Sequence, residues 1–252
     1  MTPEPIAPPP AEDPIWSGID LLQLIGVTVA AMAVVPIALI LLVHFTIYRR
    51  LSFTEIARIP DIVLLAQLAI YAVIFAVMRW LVRARGGRFW DAVRWNWPQS
   101  SWAIFLFLGI GLYFVLVGLS QLLPIPKHLP IDRFFQTARE ASIMSVIAMT
   151  LAPLMEELFF RGFLYPVLAR RLGKVVAILL TSALFGLLHG AQLGYSWAVL
   201  IIVLVGIALT TVRALSKSVA SSFLVHVGYN ATLSALLFIA TSGFRHLERL
   251  NQ

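Results

Sequence analysis

The chain has no cysteine and few charged residues, and each shortage excludes a class of protein. Without cysteine it can have no disulfide framework, no cysteine nucleophile and no thiolate metal site. Charged residues make up 12% of the 252 residues, and a soluble domain usually carries about twice that share. The opening sequence, MTPEPIAPPPAEDP, also lacks the basic region of a cleavable signal peptide. We expect residues 1–18 to form a disordered, Pro-rich tail.

Long stretches of the sequence carry no Asp, Glu, Lys or Arg. These stretches are 21–48, 62–78, 95–126, 175–212 and 218–244. A helix needs roughly 20 mainly apolar residues to cross the core of a bilayer, and only helices or closed barrels satisfy their backbone groups in lipid. The stretches show no strand-like alternation and are too long for barrel strands. The sequence therefore predicts an all-α, polytopic helix bundle that is a multi-pass integral membrane protein.

We predict about seven transmembrane helices with short interfacial amphipathic helices between them. The predicted spans are 19–48, 61–82, 102–123, 142–168, 174–189, 195–212 and 218–242. Apolar residues at helical spacing among charged ones over 131–140 predict a helix on the membrane surface. We divide the chain into the tail, the N-terminal membrane helices and interfacial segments (19–141), a second helix bundle (142–242) and a C-terminal tail (243–252).

The net charge of +7 could suggest a nucleic-acid partner in a soluble protein. Here the Lys and Arg residues lie between the hydrophobic segments, where anionic lipid headgroups account for them. We therefore expect membrane lipid as a partner, and no nucleic acid.

Two carboxylates are unusual in their position. Of the twelve in the chain, only Glu156 and Glu157 fall deep inside a hydrophobic segment. An ionised side chain near the bilayer centre costs at least ~2.5–3.5 kcal/mol. Arg161 follows Glu157 by one helical turn, so these two side chains can form an ion pair. Glu156 projects about 100° away from Glu157 and has no partner nearby in the sequence.

Two histidines are also placed inside predicted spans. His189 closes the fifth span, with Phe185 one turn before it, and His226 lies in the seventh span, with Asn230 one turn after it. Polar groups within membrane helices normally face a bundle interior or a water-filled cavity. Three helices thus bring Glu156, His189 and His226 with Asn230 into the membrane.

These elements, in this order, resemble the CAAX prenyl protease and bacteriocin-processing (CPBP, or Abi) family of intramembrane endopeptidases. That family has the motifs Glu-Glu-x-x-x-Arg, Phe-x-x-x-His and His-x-x-x-Asn. Here they read Glu156-Glu157-x-x-x-Arg161, Phe185-x-x-x-His189 and His226-x-x-x-Asn230. The resemblance covers roughly residues 142–242 and implies that this bundle is the catalytic part.

The resemblance implies hydrolysis of a peptide bond by a glutamate-activated water, in a membrane-associated or lipidated peptide or protein. Glu156 is then the general base, and His189 helps to hold the water. The other assigned residues are the oxyanion donors His226 and Asn230, the supporting ion pair Glu157–Arg161, and Phe185, which packs beside the site. The acidic, Pro-rich tail and the seven spans are more typical of bacterial members, so we expect a bacterial cell membrane.

Several alternatives stay open at this stage. Glu156, His189 and His226 are also a two-histidine, one-carboxylate set that could hold zinc, although the resemblance favours a reaction without a cofactor. A serine nucleophile would need a Gly-x-Ser-x-Gly elbow, which neither Ser182 nor Ser222 has. A non-catalytic immunity or scaffold protein of the same family is a second function. A proton-coupled transporter is a third, but the polar groups cluster in one half and no inverted repeat is evident.

Overall fold

A computed structural model describes residues 13–99 and 101–248, and within these ranges every regular element is helical. The all-α fold class is therefore confirmed. The helices are α1 (Gly18–Thr46), α2 (Phe53–Ile56), α3 (Pro60–Ala84), α4 (Phe89–Ala92), α5 (Trp102–Ser120), a 3₁₀ helix (Pro130–Phe135), α6 (Ala138–Met149), α7 (Leu151–Glu156), a π-helix (Glu157–Leu164), α8 (Tyr165–Leu172), α9 (Lys174–Leu188), α10 (Ala198–Ser216) and α11 (Val219–Ala240).

Six helical segments in the described part of the chain are long and apolar enough to cross a membrane. Five are single helices (α1, α3, α5, α10 and α11), and the sixth is the segment Ala138–Leu172, which comprises α6, α7, the π-helix and α8. The predicted fifth span is α9, which is apolar but has only 15 residues. It is shorter than the roughly 20 residues that a full crossing requires. Large apolar side chains are exposed along these helices, as expected of surfaces that face lipid.

Local capping sets where several helices begin. Ser17 with Asp20, Ser52 with Glu55 and Thr137 with Glu140 each form a capping box, in which side chain and backbone bond reciprocally. Short polar side chains thus satisfy amide groups that a helix start would leave unpaired. The predicted surface helix over 131–140 is instead a 3₁₀ helix that ends at Phe135, and Thr137 then starts α6.

The disordered tail predicted for residues 1–18 includes residues that are packed in the structure. Trp16 is only 1% exposed, and its ring stacks on Phe163 of the π-helix with centroids 4.2 Å apart. Its indole Nε1 donates to the Phe163 carbonyl at 3.2 Å, and Asp13 pairs with Arg170 at 3.0 Å. Residues 13–17 are therefore packed against the helix that carries the first motif, because a large aromatic residue lies among the prolines. Residues 1–12 lie outside the described residues.

The predicted C-terminal tail begins too early for a similar reason. Phe244 is buried and packs edge-on against Phe238, with centroids 5.3 Å apart. Its amide donates to the Thr241 hydroxyl at 3.0 Å. The packed chain thus continues past residue 243, and residues 249–252 lie outside the described residues.

Glycines bring two pairs of helices into close contact. Gly109 of α5 faces α11, where a Cβ atom at Gly109 would lie 2.7 Å from the Tyr229 amide nitrogen. Gly206 of α10 faces α9, where a Cβ atom would lie 3.0 Å from the Ser182 Cα atom. Small residues allow such close approach between membrane helices. The contact at Gly109 joins an N-terminal span directly to α11, which carries His226.

Candidate active site

A break in the fourth span positions the first motif. Pro153 has no N–H to donate to the carbonyl four residues earlier, and α6 ends at Met149 before the non-helical Thr150 (φ −125°, ψ −78°). The Asn230 side chain of α11 donates to the carbonyl of Ala148, just before this break, at 2.7 Å. The fourth span is therefore interrupted just before Pro153, and a hydrogen bond from the neighbouring helix holds the chain at this interruption.

The motif continues from α7 into a π-helix. Glu156 is the last residue of α7, and the turns from Glu157 to Leu164 close with hydrogen bonds to the fifth residue rather than the fourth. The amide of Tyr165, for example, donates to the carbonyl of Phe160. Wide turns of this kind are rare and occur often at functional sites. The sequence predicted a helix here but not its wider turns.

Glu157 and Arg161 form the expected ion pair. Arg161 Nη1 donates to Glu157 Oε1 at 2.9 Å, and both side chains are fully buried. Arg161 also donates from Nε to the Thr210 hydroxyl and from Nη2 to the Gly206 carbonyl, each at 3.2 Å. A buried guanidinium needs several acceptors to offset its lost hydration. Here α10 supplies two of them, so the pair ties the π-helix to α10.

His226 lies between the two motif carboxylates. Its Nδ1 is 2.9 Å from Glu157 Oε1, and its Nε2 is 3.7 Å from Glu156 Oε2. Because Glu157 also receives hydrogen bonds from Arg161 and Ser222, it is an ionised acceptor, and His226 Nδ1 must be the donor. The Nε2 atom of His226 is therefore the ring nitrogen that faces Glu156.

His189 faces the same carboxylate from the other side. Its Nδ1 lies 2.8 Å from the Phe185 carbonyl, which can only accept, so this nitrogen carries a proton. Its Nε2 is 3.8 Å from Glu156 Oε1. A neutral ring then presents a lone pair to the space beside Glu156. Both histidines thus direct Nε2 at Glu156.

Phe185 packs between the polar groups. Its ring centroid lies 4.8 Å from that of His189 and 6.0 Å from that of His226. The Arg161 guanidinium carbon lies 4.5 Å from the same ring, within the range of a cation–π contact. The motif residue Phe185 therefore packs against the Arg161 guanidinium and beside both histidine rings.

The side chains of the site differ in exposure. Those of Glu156 and His189 are 19% and 23% exposed, whereas those of Glu157 and Arg161 are fully buried. His226 is nearly buried. The Glu156–His189 side of the cluster is therefore open to the surface of the bundle, and the Glu157–Arg161 side is its closed interior.

Two supporting hydroxyls were missed by the sequence reasoning. Ser222 donates to Glu157 Oε2 at 2.6 Å, and Thr210 accepts from Arg161. Ser222 could have been found, because it lies one turn before His226 on the same helix face. Thr210 had no such signal, since it lies outside the three motifs and 49 residues from its partner.

The three side chains of the alternative zinc set do lie together. Ligands that share a tetrahedral zinc ion at about 2.0–2.2 Å are about 3.4 Å apart. The separations between Glu156 and the two histidine Nε2 atoms, 3.7 and 3.8 Å, are wider. Within residues 13–99 and 101–248, no group of His, Cys, Asp and Glu has the arrangement of a metal site.

Comparison with known proteins gives one finding. Residues 138–232 match the family model described as type II CAAX prenyl endopeptidase, Rce1-like. No curated protein and no solved structure matches the chain. The matched region contains all the residues of the three motifs, and it runs from the start of α6 into α11. Over these residues, the chain is similar to the family of Rce1-like, type II CAAX prenyl endopeptidases.

Proposed function

We propose that the protein is an intramembrane endopeptidase in which Glu156 activates a water molecule for peptide-bond hydrolysis. The observation that carries this proposal is the difference between the two adjacent carboxylates. Glu157 accepts hydrogen bonds from Arg161, His226 and Ser222. Glu156 instead faces the Nε2 atoms of His226 and His189, at 3.7 and 3.8 Å. A water at an ordinary hydrogen-bond distance of roughly 2.8 Å from each group fits between atoms so spaced.

The reaction follows from these positions. Glu156 takes a proton from the water, whose oxygen attacks the carbonyl carbon of the substrate. The His189 Nε2 lone pair orients the water. The carbonyl oxygen becomes an oxyanion, which collapses as the C–N bond breaks, and the protonated Glu156 returns its proton to the leaving amine.

The oxyanion needs hydrogen-bond donors. His226 in its doubly protonated form would donate from Nε2, with the Glu157 carboxylate balancing the charge of the ring. Asn230 has two N–H groups, so bonding to Ala148 leaves one for the oxyanion. A donor of this kind is worth ~2.7–4 kcal/mol in other proteases.

We infer a membrane-bound substrate because the reacting groups lie within a helix bundle that faces lipid. The family is named for prenylated proteins. The test therefore uses two reporter peptides in proteoliposomes, identical except that one carries a prenylated cysteine. Cleavage of the prenylated reporter alone supports a lipidated substrate, and equal cleavage of both supports a substrate chosen by its peptide sequence.

The decisive variant is Glu156→Gln, because an amide cannot accept the proton. It should fold normally and lose about 10²–10⁴-fold in kcat. Glu140→Gln is the matched control, since glutamine also serves at this position of a capping box, and it should stay active. Purified wild type that cleaves neither reporter would instead favour the immunity, scaffold or transporter alternatives. Activity that is lost on chelation and restored by zinc would show that a metal is required.

A further inference from the structure

The Ser222 hydroxyl is fully enclosed next to the site, although it lies outside the three motifs. Its Oγ lies 2.6 Å from Glu157 Oε2 and 2.9 Å from the Leu209 carbonyl, and the residue is 0% exposed. With His226 and Asn230 it forms a stripe on α11 at intervals of four residues. This stripe faces the fourth span at Glu157, Glu156 and Ala148 in turn.

We propose that Ser222 is a positioning residue that acts on His226 through Glu157. By binding Glu157 Oε2, it orients the carboxylate so that Oε1 faces His226 Nδ1, and this contact keeps the ring proton on Nδ1 and directs Nε2 at Glu156. The expected effect of Ser222 on turnover rests on the proposed function, whereas its expected effect on the His226 tautomer does not.

The first step of the argument is the distribution of donors around Glu157. Oε1 accepts from Arg161 and from His226, each at 2.9 Å, and Oε2 accepts from Ser222. Without the Ser222 hydroxyl, Oε2 would be a buried carboxylate oxygen that has lost its short hydrogen bond. The carboxylate could then rotate to offer either oxygen to Arg161, which would move the acceptor away from His226.

The second step is the tautomer of His226. The nitrogen that carries the proton in a neutral imidazole is set by the hydrogen bond that the other groups make with it. Glu157 can only accept, so it fixes the proton of His226 on Nδ1. Nδ1 then keeps its proton in both protonation states of the ring, and only Nε2, the atom next to Glu156, gains or loses one.

Two other roles for Ser222 fit the geometry less well. A nucleophilic serine needs a base that accepts its proton and an open path to substrate. Ser222 instead donates to an ion-paired carboxylate and is enclosed. A purely structural serine would affect folding but not the ring of His226. The experiment below separates that role from the proposed one.

The experiment compares Ser222→Ala with Thr210→Val. Each substitution removes one buried hydroxyl from the same network, but Ser222 bonds to Glu157 and Thr210 bonds to Arg161. The ¹⁵N shifts of histidine side chains in detergent micelles report the tautomer, and the His226 signal is the one that disappears in His226→Gln. Wild-type His226 should carry its proton on Nδ1 when the ring is neutral. Thr210→Val should keep this tautomer, and Ser222→Ala should give a mixture.

Turnover of the cleaved reporter supplies the second measurement. Loss of a side chain that orients a metal ligand typically costs about 10–100-fold in activity in metalloenzymes, and we expect a fall in kcat of similar size for Ser222→Ala, with KM nearly unchanged. A neutral His226 with its proton on Nε2 in the wild type would overturn the proposal, and this needs no variant. So would a Ser222→Ala protein with the wild-type tautomer and kcat. If the wild type cleaves nothing, the proposed function fails, while the tautomer still decides the role of Ser222.

Discussion

Arg161 is the best position at which to test the buried network, because its contacts are known atom by atom. It donates to Glu157 at 2.9 Å and to Thr210 and the Gly206 carbonyl at 3.2 Å, and all of these contacts are buried. Replacing it with methionine leaves Glu157 as an unpaired charge inside the bundle. Breaking a buried pair in this way costs ~3–5 kcal/mol. We expect Arg161→Met to lower the free energy of unfolding by that amount.

Arg161→Lys gives the graded control. A lysine keeps a positive charge for Glu157 but lacks the planar fork that reaches Thr210 and Gly206 together. Two lost hydrogen bonds at about 0.5–1.5 kcal/mol each predict a loss of roughly 1–3 kcal/mol. The double variant Glu157→Gln/Arg161→Met should lose less than the sum of its single variants, because the second change removes the charge that the first left unpaired.

The assay is equilibrium unfolding of the purified protein in mixed micelles, with the denaturing detergent as the variable and tryptophan fluorescence as the signal. The expected order of stability is wild type, Arg161→Lys and then Arg161→Met. A methionine variant within about 0.5 kcal/mol of wild type, the range of an ordinary surface substitution, would refute the reasoning. So would strict additivity in the double variant, because it would mean that the two side chains do not interact.

The other stability predictions concern packing. Trp16→Ala should cost ~3–5 kcal/mol, the usual range for a buried tryptophan. Trp16→Phe should lose mainly the hydrogen bond to the Phe163 carbonyl, about 1 kcal/mol. Equal losses of stability in Trp16→Ala and Trp16→Phe would show that packing of the ring does not hold the N-terminal segment. Gly109→Ala should destabilise the protein by ~1–3 kcal/mol, since the new methyl group would press on α11 at Tyr229. On the same helix, the new methyl group of Gly111→Ala would meet no atom within 4 Å, so this variant should not be destabilised. Equal losses of stability in the two variants would contradict the close crossing of α5 and α11.

The sequence by itself determined the fold class, because helices that cross a bilayer must be long and free of charge. It also determined the pairing of Glu157 with Arg161, since these residues are four positions apart. The order of the three motifs was enough to indicate a resemblance to the family whose model matches residues 138–232. All of these inferences use local spacing or composition.

Only the tertiary structure decided which polar group contacts which. Glu157 meets Ser222 and His226 across 65 and 69 residues, and Trp16 meets Phe163 across 147. Spacing along one helix gives the direction of a side chain but not the position or rotation of the neighbouring helix. Those depend on packing, for example at Gly109 and Gly206, where small residues let the helices approach. For this reason the sequence assigned Glu157 to Arg161 alone, whereas the folded bundle also places it against His226.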